Sequence, residues 1–159
     1  MATRRARSDS ATAVIAAMKN AAAPDLAPPE FITLSPRAMP YFTAIVRARA
    51  RAEWTELHLI VAGQLAECLN DIAEEETELL IEGRIIKNDR GTPIMNPRMA
   101  ACEQLARKEM ALMRTLQMGG RVAGGEGDAR NKAGARRAEA DARKVRDDVK
   151  KEGASLLAD

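Results

Sequence analysis

The spacing of apolar residues predicts a chain of helices separated by short turns. Apolar side chains recur at three-, four- and seven-residue steps, which is the spacing of one face of an α-helix. The longest such stripe contains Leu57, Val61, Leu65, Cys68, Ile72 and Leu79. Thr55 precedes this stripe as a helix cap, with Trp54 before it as a hydrophobic staple, and Gly83 follows it as a stop. The sequence therefore predicts a long amphipathic helix that ends at about Glu82.

Two further helices are predicted from a capping residue followed by proline. Ser35-Pro36 and Asn96-Pro97 both have this signature, because the proline at the first helical position has no N–H to leave unpaired. Pro40 is expected to delay or bend the first of these helices. Its buried side is predicted to consist of Tyr41, Phe42, Ile45 and Val46. The second helix is expected to run to about Met118 and to end at Gly119-Gly120.

Local patterns also predict a hairpin and a short N-terminal helix. The segments 84–87 and 92–95 contain apolar residues on both sides of a four-residue turn at 88–91, which is typical of a β-hairpin. Ser10 is suited to cap an Ala-rich helix to about Ala22, which is followed by a Pro-rich linker over 23–29.

The composition favours a mainly α fold. Aromatic residues make up only 3% of the chain, so a core of Leu, Ile, Met and Ala is expected, which suits helix-on-helix packing. We expect a helical hairpin core with a small β-hairpin insertion over residues 34–120. Residues 1–33 are expected to form a flexible basic arm, a short helix and the linker, and residues 121–159 a Gly- and charge-rich tail that is disordered or partly helical. No run reaches the ~18 apolar residues of a membrane span, so no membrane contact is predicted.

The last helix has an apolar face wider than one antiparallel partner usually covers. One stripe contains Met99, Cys102, Ala106, Met110 and Met113, and three leucines extend it around the helix. Either another subunit or other helices of the same chain cover this face, and we favour the subunit. The predicted oligomerisation residues are Leu65, Ile72, Leu105, Leu112, Met113 and Leu116.

Charge is segregated along the chain, although the net charge is only +2. Basic residues dominate up to Arg51, every charge from Glu53 to Glu82 is acidic, and basic residues lead again from Arg84. Such polarity predicts one surface for a polyanion and another for a basic partner. The candidate DNA-binding residues are Arg4, Arg5, Arg7, Lys19, Arg47 and Arg51. Arg47 and Arg51 are expected one turn apart on one helix face, with Arg49 pointing elsewhere; the alternative is that all are ordinary solvated charges.

Other candidate chemistry is weak. The acidic run 74–78 offers carboxylates on successive helix positions that do not converge, so a solvated or subunit-pairing acidic face is expected instead of a metal site. Basic partners across a subunit boundary would be Arg84, Lys87, Arg90, Arg107 and Lys108. His58 is the single histidine, and the glycines at 124–127 lack the Lys-Ser/Thr of a phosphate loop. Cys68 and Cys102 are expected to be reduced thiols. We therefore predict no catalysis, metal or cofactor.

Several of these features together resemble the small-terminase family of cohesive-end tailed phages. The N-terminal part of the resemblance is Arg7-Ser8-Asp9-Ser10, then Met18-Lys19-Asn20-Ala21-Ala22, then the Pro28-Pro29 pair. The central part is the order of a Leu34-Ser35 helix, a Trp54-Thr55 helix, Gly83, a hairpin, and an Asn96-Pro97 helix. A short Gly- and charge-rich tail is also usual in that family.

The resemblance implies a ring of about eight to ten subunits that binds viral double-stranded DNA at the packaging site. It also implies that the ring regulates a separate large terminase subunit carrying the ATPase motor and nuclease. The site of action would be the host cytoplasm, outside the mature virion. The mixed-sign tail is expected to be a solvated spacer, with contact to the large subunit or to DNA as the alternative. The competing functions are a structural connector ring that does not bind DNA and a dimeric transcription regulator.

Overall fold

The computed structural model describes residues 11–118 and 126–156, and this part of the chain is mainly helical. Five α-helices are present there: α1 (Ala11–Ala22), α2 (Met39–Arg47), α3 (Glu56–Glu82), α4 (Arg98–Thr115) and α5 (Glu126–Leu156). A 3-10 turn covers Arg51–Glu53, and two strands, β1 (Ile85–Lys87) and β2 (Pro93–Met95), lie between α3 and α4. The predicted basic arm with Arg4, Arg5 and Arg7, the Gly119-Gly120 helix end and Gly124-Gly125 lie outside the described residues.

Internal contacts divide the chain into two units. The terminal unit consists of α1 with the residues up to Leu26, the segment Arg47–Trp54, and α5. The central unit consists of Ala27–Val46, α3, the hairpin and α4. The terminal unit thus joins segments from the two ends of the described chain with a short internal segment.

In the central unit, α3 and α4 pack against each other as an antiparallel helical pair. The Cys68 thiol in the middle of α3 donates to the carbonyl of Leu105 at 3.5 Å, while Arg98 at the start of α4 reaches Glu75 and Glu82 near the end of α3. The residues of α3 buried here include Ala62, Leu65, Ala66 and Cys68. The predicted helical hairpin with a β-hairpin insertion is confirmed for this part of the chain.

The caps predicted for α3 and α4 are present. The Thr55 hydroxyl accepts the His58 N–H at 3.3 Å, and Gly83 ends α3 with a positive φ of 85° and its N–H on the carbonyl of Leu79. Asn96 is 2% exposed; its Oδ1 accepts the Arg98 N–H at 3.0 Å and its Nδ2 donates to Glu82 and Gly83. Asn96 therefore couples the end of α3 to the start of α4.

The Ser35 cap works with a partner that the sequence did not reveal. Ser35 Oγ accepts the Ala38 N–H at 3.2 Å, and α2 begins at Met39 with Pro40 in its first turn, as expected of a delayed start. The Ser35 N–H and hydroxyl both donate to the carboxylate of Glu67 on α3. These two bonds hold the residues that precede α2 against the middle of α3.

The β-hairpin is confirmed, with strands one residue shorter than predicted. It is antiparallel, and Ile86 pairs with Ile94. The turn is closed by the Asn88 N–H on the Thr92 carbonyl at 3.0 Å, and Gly91 has a φ of 77°, which favours glycine.

The tail was expected to be disordered or partly helical and to act as a solvated spacer; its described part is helical and packed. Its described part is one continuous helix of 31 residues, α5, which packs on α1. Ala17 and Ala21 of α1 are buried. The packing on α1 was not expected because alanines let two helices approach closely, so the contact leaves no stripe of large apolar residues in the sequence.

None of the described helices combines the length and the apolar character that crossing a bilayer requires.

Replacing Leu65 with Ala should lower the free energy of unfolding by about 2–5 kcal/mol, because the side chain is 1% exposed and its loss leaves a cavity. Leu80→Ala in the same helix is the matched control: Leu80 is 86% exposed, so a change within about 0.5 kcal/mol is expected. Urea unfolding followed by circular dichroism measures both variants. Equal losses for the two variants would contradict the assignment of Leu65 to the core.

Candidate nucleic-acid interface

The positive charge of the chain is concentrated in the terminal unit. Counted over the sequence segments of each unit, the terminal one has 16 Lys and Arg against 11 Asp and Glu, and the central one has 9 against 12. The net charges of +5 and −3 add up to the +2 of the whole chain. The candidate DNA-binding residues Arg4, Arg5, Arg7, Lys19, Arg47 and Arg51 all belong to the terminal unit by sequence.

Arg47 and Arg51 do not lie one turn apart on a helix, so that prediction was wrong. Helix α2 ends at Arg47, Ala50 is extended (φ −64°, ψ 142°), and Arg51 opens the 3-10 turn. The two guanidinium groups nevertheless reach neighbouring residues. Arg47 pairs with Asp25 at 2.7 Å, and Arg51 donates to the Pro24 carbonyl at 2.6 Å. The hydrogen bond from Arg47 holds the pKa of Asp25 below its usual value.

Arg49 has a different role from its neighbours. It is buried, and its guanidinium lies 5.6 Å from the centroid of the Trp54 ring. Burial lowers the pKa of the Arg49 guanidinium. Arg49 therefore contacts a different residue from Arg47 and Arg51, and its burial excludes the alternative that it is a solvated charge.

An ion pair between Arg136 and Glu53 connects α5 to the 3-10 turn. Nε and Nη2 of Arg136 each lie 3.1 Å from a different carboxylate oxygen of Glu53, which is the two-bond geometry that arginine favours. Burial alone would raise the pKa of Glu53, but the hydrogen bond and charge of Arg136 outweigh it and lower that pKa. No sequence pattern indicates this pair, because 83 positions separate its members.

Glu139 is a buried carboxylate at the centre of the terminal unit. It is 4% exposed and accepts two bonds of 2.8 Å, one from Nδ2 of Asn20 on α1 and one from the backbone N–H of Arg51. The guanidinium of Arg143 lies 3.6 Å away. Arg146 adds a bond of 2.7 Å to the Ala21 carbonyl. Three tail residues that were expected to be solvated, Arg136, Glu139 and Arg146, thus hold α5 against the other segments of the unit.

Other basic side chains of the terminal unit remain exposed. Among the described residues, these exposed side chains are Lys19, Arg47, Arg137, Lys144, Lys150 and Lys151. Exposed Lys and Arg on a unit of net positive charge suit contact with phosphates, where the release of counterions drives binding.

The acidic run of α3 has partners inside the central unit. Arg37 pairs with Glu74 at 2.9 Å, and Arg98 pairs with Glu75 at 2.8 Å and Glu82 at 3.1 Å. The acidic face is solvated as expected at Glu74, Glu76 and Glu78, which are exposed, while arginines of the same chain also pair with part of it. Among the described residues, no group of three or more His, Cys, Asp or Glu is arranged to hold a metal ion.

The predicted oligomerisation residues are divided by the fold. Leu65 and Leu116 are buried within the chain, so they present no surface to another subunit. Ile72, Leu105, Leu112 and Met113 are half-buried. No residue of α4 between Arg98 and Thr115 is fully buried, and Met110 is 50% exposed. The described residues therefore leave part of the apolar face of α4 uncovered.

Both cysteines are free thiols, with Cys68 buried and Cys102 half-buried.

Two comparisons with known proteins agree with each other. The model of the Hendrixvirinae small terminase family matches residues 1–156. The small subunit of the terminase of Enterobacteria phage HK97 is 32% identical over 126 residues, which cover 79% of this chain and 78% of that protein.

Lowering the pH should loosen the terminal unit through Glu53. Its folded pKa is lowered, so its ion pair stabilises the fold above the unfolded pKa of about 4.5 and loses this effect as the pH falls through the folded value. The fluorescence of Trp54, the single tryptophan, followed during thermal unfolding between about pH 6 and pH 3, measures the loss.

Glu53→Gln should unfold at a lower temperature near neutral pH and show a weaker dependence on pH than the wild type. Asp148→Asn, at an exposed acidic position of α5, is the control and should keep the wild-type dependence. A Glu53→Gln protein with the full wild-type dependence on pH would show that this ion pair does not stabilise the unit.

Proposed function

Because the chain belongs to the Hendrixvirinae small terminase family, which has a role in phage DNA packaging, we propose that it is the subunit that binds viral double-stranded DNA at the packaging site. The resemblance found in the sequence motifs is thereby confirmed at the level of the family. We also propose that it recruits and regulates the large terminase subunit and acts in the cytoplasm of the infected host without entering the mature virion. The chain itself performs no catalysis in this proposal.

The observation that carries the proposal is the concentration of positive charge in the terminal unit. The proposed contacts are Arg4, Arg5, Arg7, Lys19, Arg47 and Arg51. The pair between Arg47 and Asp25 does not prevent such contact, because both side chains are half exposed and an exposed ion pair is worth only about 0–1 kcal/mol. A guanidinium has five N–H donors, so Arg51 can hold the Pro24 carbonyl and still donate to a phosphate.

The uncovered apolar face of α4 supports self-association. We propose a ring of about eight to ten subunits, a number taken from the family resemblance, with Ile72, Leu105, Leu112 and Met113 at its subunit contacts. The exposed side of Met110 extends the same face. Because four glutamates of α3 are paired within the chain, apolar burial is the proposed source of this contact.

The double variant Arg47→Ala/Arg51→Ala should bind a DNA fragment from the packaging region more weakly, by about tenfold or more at moderate salt. The salt dependence of log K should fall by about 0.9 for every phosphate contact that is lost. Fluorescence anisotropy over a series of salt concentrations measures both quantities. Arg107→Ala is the matched control, because Arg107 is an exposed arginine of the central unit.

Three outcomes separate the proposal from its alternatives. Unchanged affinity and slope in the double variant would show that other residues contact the phosphates. A wild-type ring that fails to bind DNA even at low salt would indicate a structural connector ring. A wild-type dimer that binds a palindromic site would indicate a transcription regulator.

Met110→Glu should reduce the mass of the assembly, because a carboxylate would be buried without a partner at the proposed subunit contact. The side chain is half exposed in the single chain, so helicity by circular dichroism should stay close to that of the wild type. Gln104→Glu, at an exposed polar position of the same helix, adds the same charge and should leave the mass unchanged. Native mass spectrometry measures the mass, and an intact Met110→Glu ring would exclude this face from the contact.

A further inference from the structure

Glu139 holds together three segments that are far apart in the sequence. Its carboxylate on α5 accepts from Asn20, two residues before the end of α1, and from the backbone N–H of Arg51, each at 2.8 Å. The separations along the chain are 119 and 88 positions. The two bonds use different oxygens, so the carboxylate has to sit between both donors.

This arrangement is costly unless the bonds are kept. A carboxylate that is 4% exposed has lost most of its hydration, and the hydrogen bonds together with Arg143 at 3.6 Å compensate for that loss. Without the carboxylate, the Arg51 N–H and the Asn20 amide would lose this acceptor. The position of the backbone at Arg51 therefore depends on Glu139, while the ion pair of Arg136 with Glu53 holds the end of the same segment.

We propose that Glu139 is a positioning residue for DNA binding, which fixes the backbone at Arg51 so that Arg47 and Arg51 are presented to phosphates. This inference rests on the proposed function. It assigns to the C-terminal helix an effect on affinity that acts through residues of the segment Arg47–Trp54. It also gives an acidic residue a favourable effect on the binding of a polyanion.

The sign of that effect distinguishes positioning from electrostatics. If Glu139 acted only through its charge, its removal would strengthen DNA binding, because a negative charge would be lost from a basic surface. If it acts by positioning, a variant whose side chain is too short to bond to both Asn20 and the Arg51 N–H weakens binding even when it keeps the charge.

Two conservative variants separate charge from reach. Glu139→Asp keeps the charge but is one methylene shorter, so it cannot span Asn20 and the Arg51 N–H together. Glu139→Gln loses the charge but keeps the length: its Oε1 can accept the Arg51 N–H, and its Nε2 can donate to Asn20 once that amide has turned over. Positioning predicts weaker binding for Glu139→Asp and binding at least as tight as wild type for Glu139→Gln.

The experiment measures the affinity of the full-length chain for a DNA fragment from the packaging region, by anisotropy over a series of salt concentrations. Glu139→Asp should weaken binding severalfold and lower the salt slope toward that of Arg47→Ala/Arg51→Ala. In the Arg47→Ala/Arg51→Ala background, the same change should have no further effect, because the residues through which Glu139 acts are already gone. Asp141→Asn, at an exposed acid two positions along the same helix, is the control and should bind slightly more tightly than wild type.

The outcomes are distinguishable from those that test the proposed function. Wild-type affinity in Glu139→Asp, or a full additional loss in the Arg47→Ala/Arg51→Ala background, would overturn the positioning role while leaving DNA binding intact. A wild-type protein that does not bind the fragment would overturn the proposed function and this inference with it. If Glu139→Asp lowers helicity, Asn20→Ala replaces it, since it removes one of the two bonds and should weaken binding in the same direction.

Discussion

The terminal unit depends on buried polar contacts, because its apolar core is too small to hold it alone. The buried apolar residues described there are alanines: Ala17, Ala21 and Ala50. A buried methyl or methylene group contributes only about 0.8 kcal/mol, and alanine contacts specify little about how one helix is aligned along another. Hydrogen bonds and ion pairs are directional, so Glu139 and Arg136 determine where the segment Arg47–Trp54 lies along α5.

In the central unit, larger buried side chains pack the helices together, and polar contacts at the hairpin end of α3 and α4 align them. Its largest fully buried side chains are Phe42, Leu65, Cys68 and Leu116, while Arg98 lies near three carboxylates at the end of α3. The buried side-chain amide of Asn96 donates to the Gly83 carbonyl at the end of α3 and accepts the Arg98 N–H at the start of α4. The register of the two helices is therefore fixed by polar groups at the hairpin end, and their separation by apolar packing along their length.

The sequence predicted what depends on neighbouring residues and missed what depends on distant ones. A cap joins residues two to four positions apart, so Thr55, Gly83 and Asn96 could be identified from order alone. The contact of Glu53 with Arg136 spans 83 positions and has no local signature. The continuity of α5 was missed because its apolar content is mostly alanine, and the broken alignment of Arg47 and Arg51 was missed because no Gly or Pro marks the end of α2. The sequence therefore predicted which basic residues belong to the candidate site, but not their positions relative to one another or the contacts that hold them.

On the proposed function, the two units divide two physical tasks. Attraction to DNA acts over roughly a Debye length and weakens with salt, whereas burial of an apolar helix face acts at contact and is not screened. The terminal unit has the excess of positive charge, and the uncovered face of α4 belongs to the central unit. Arg37 and Arg98 of the same chain already pair with Glu74, Glu75 and Glu82 of α3, so the proposed subunit contact rests on apolar burial and not on these carboxylates. If both proposals hold, the protein would release DNA as the salt concentration rises while its subunits stay associated.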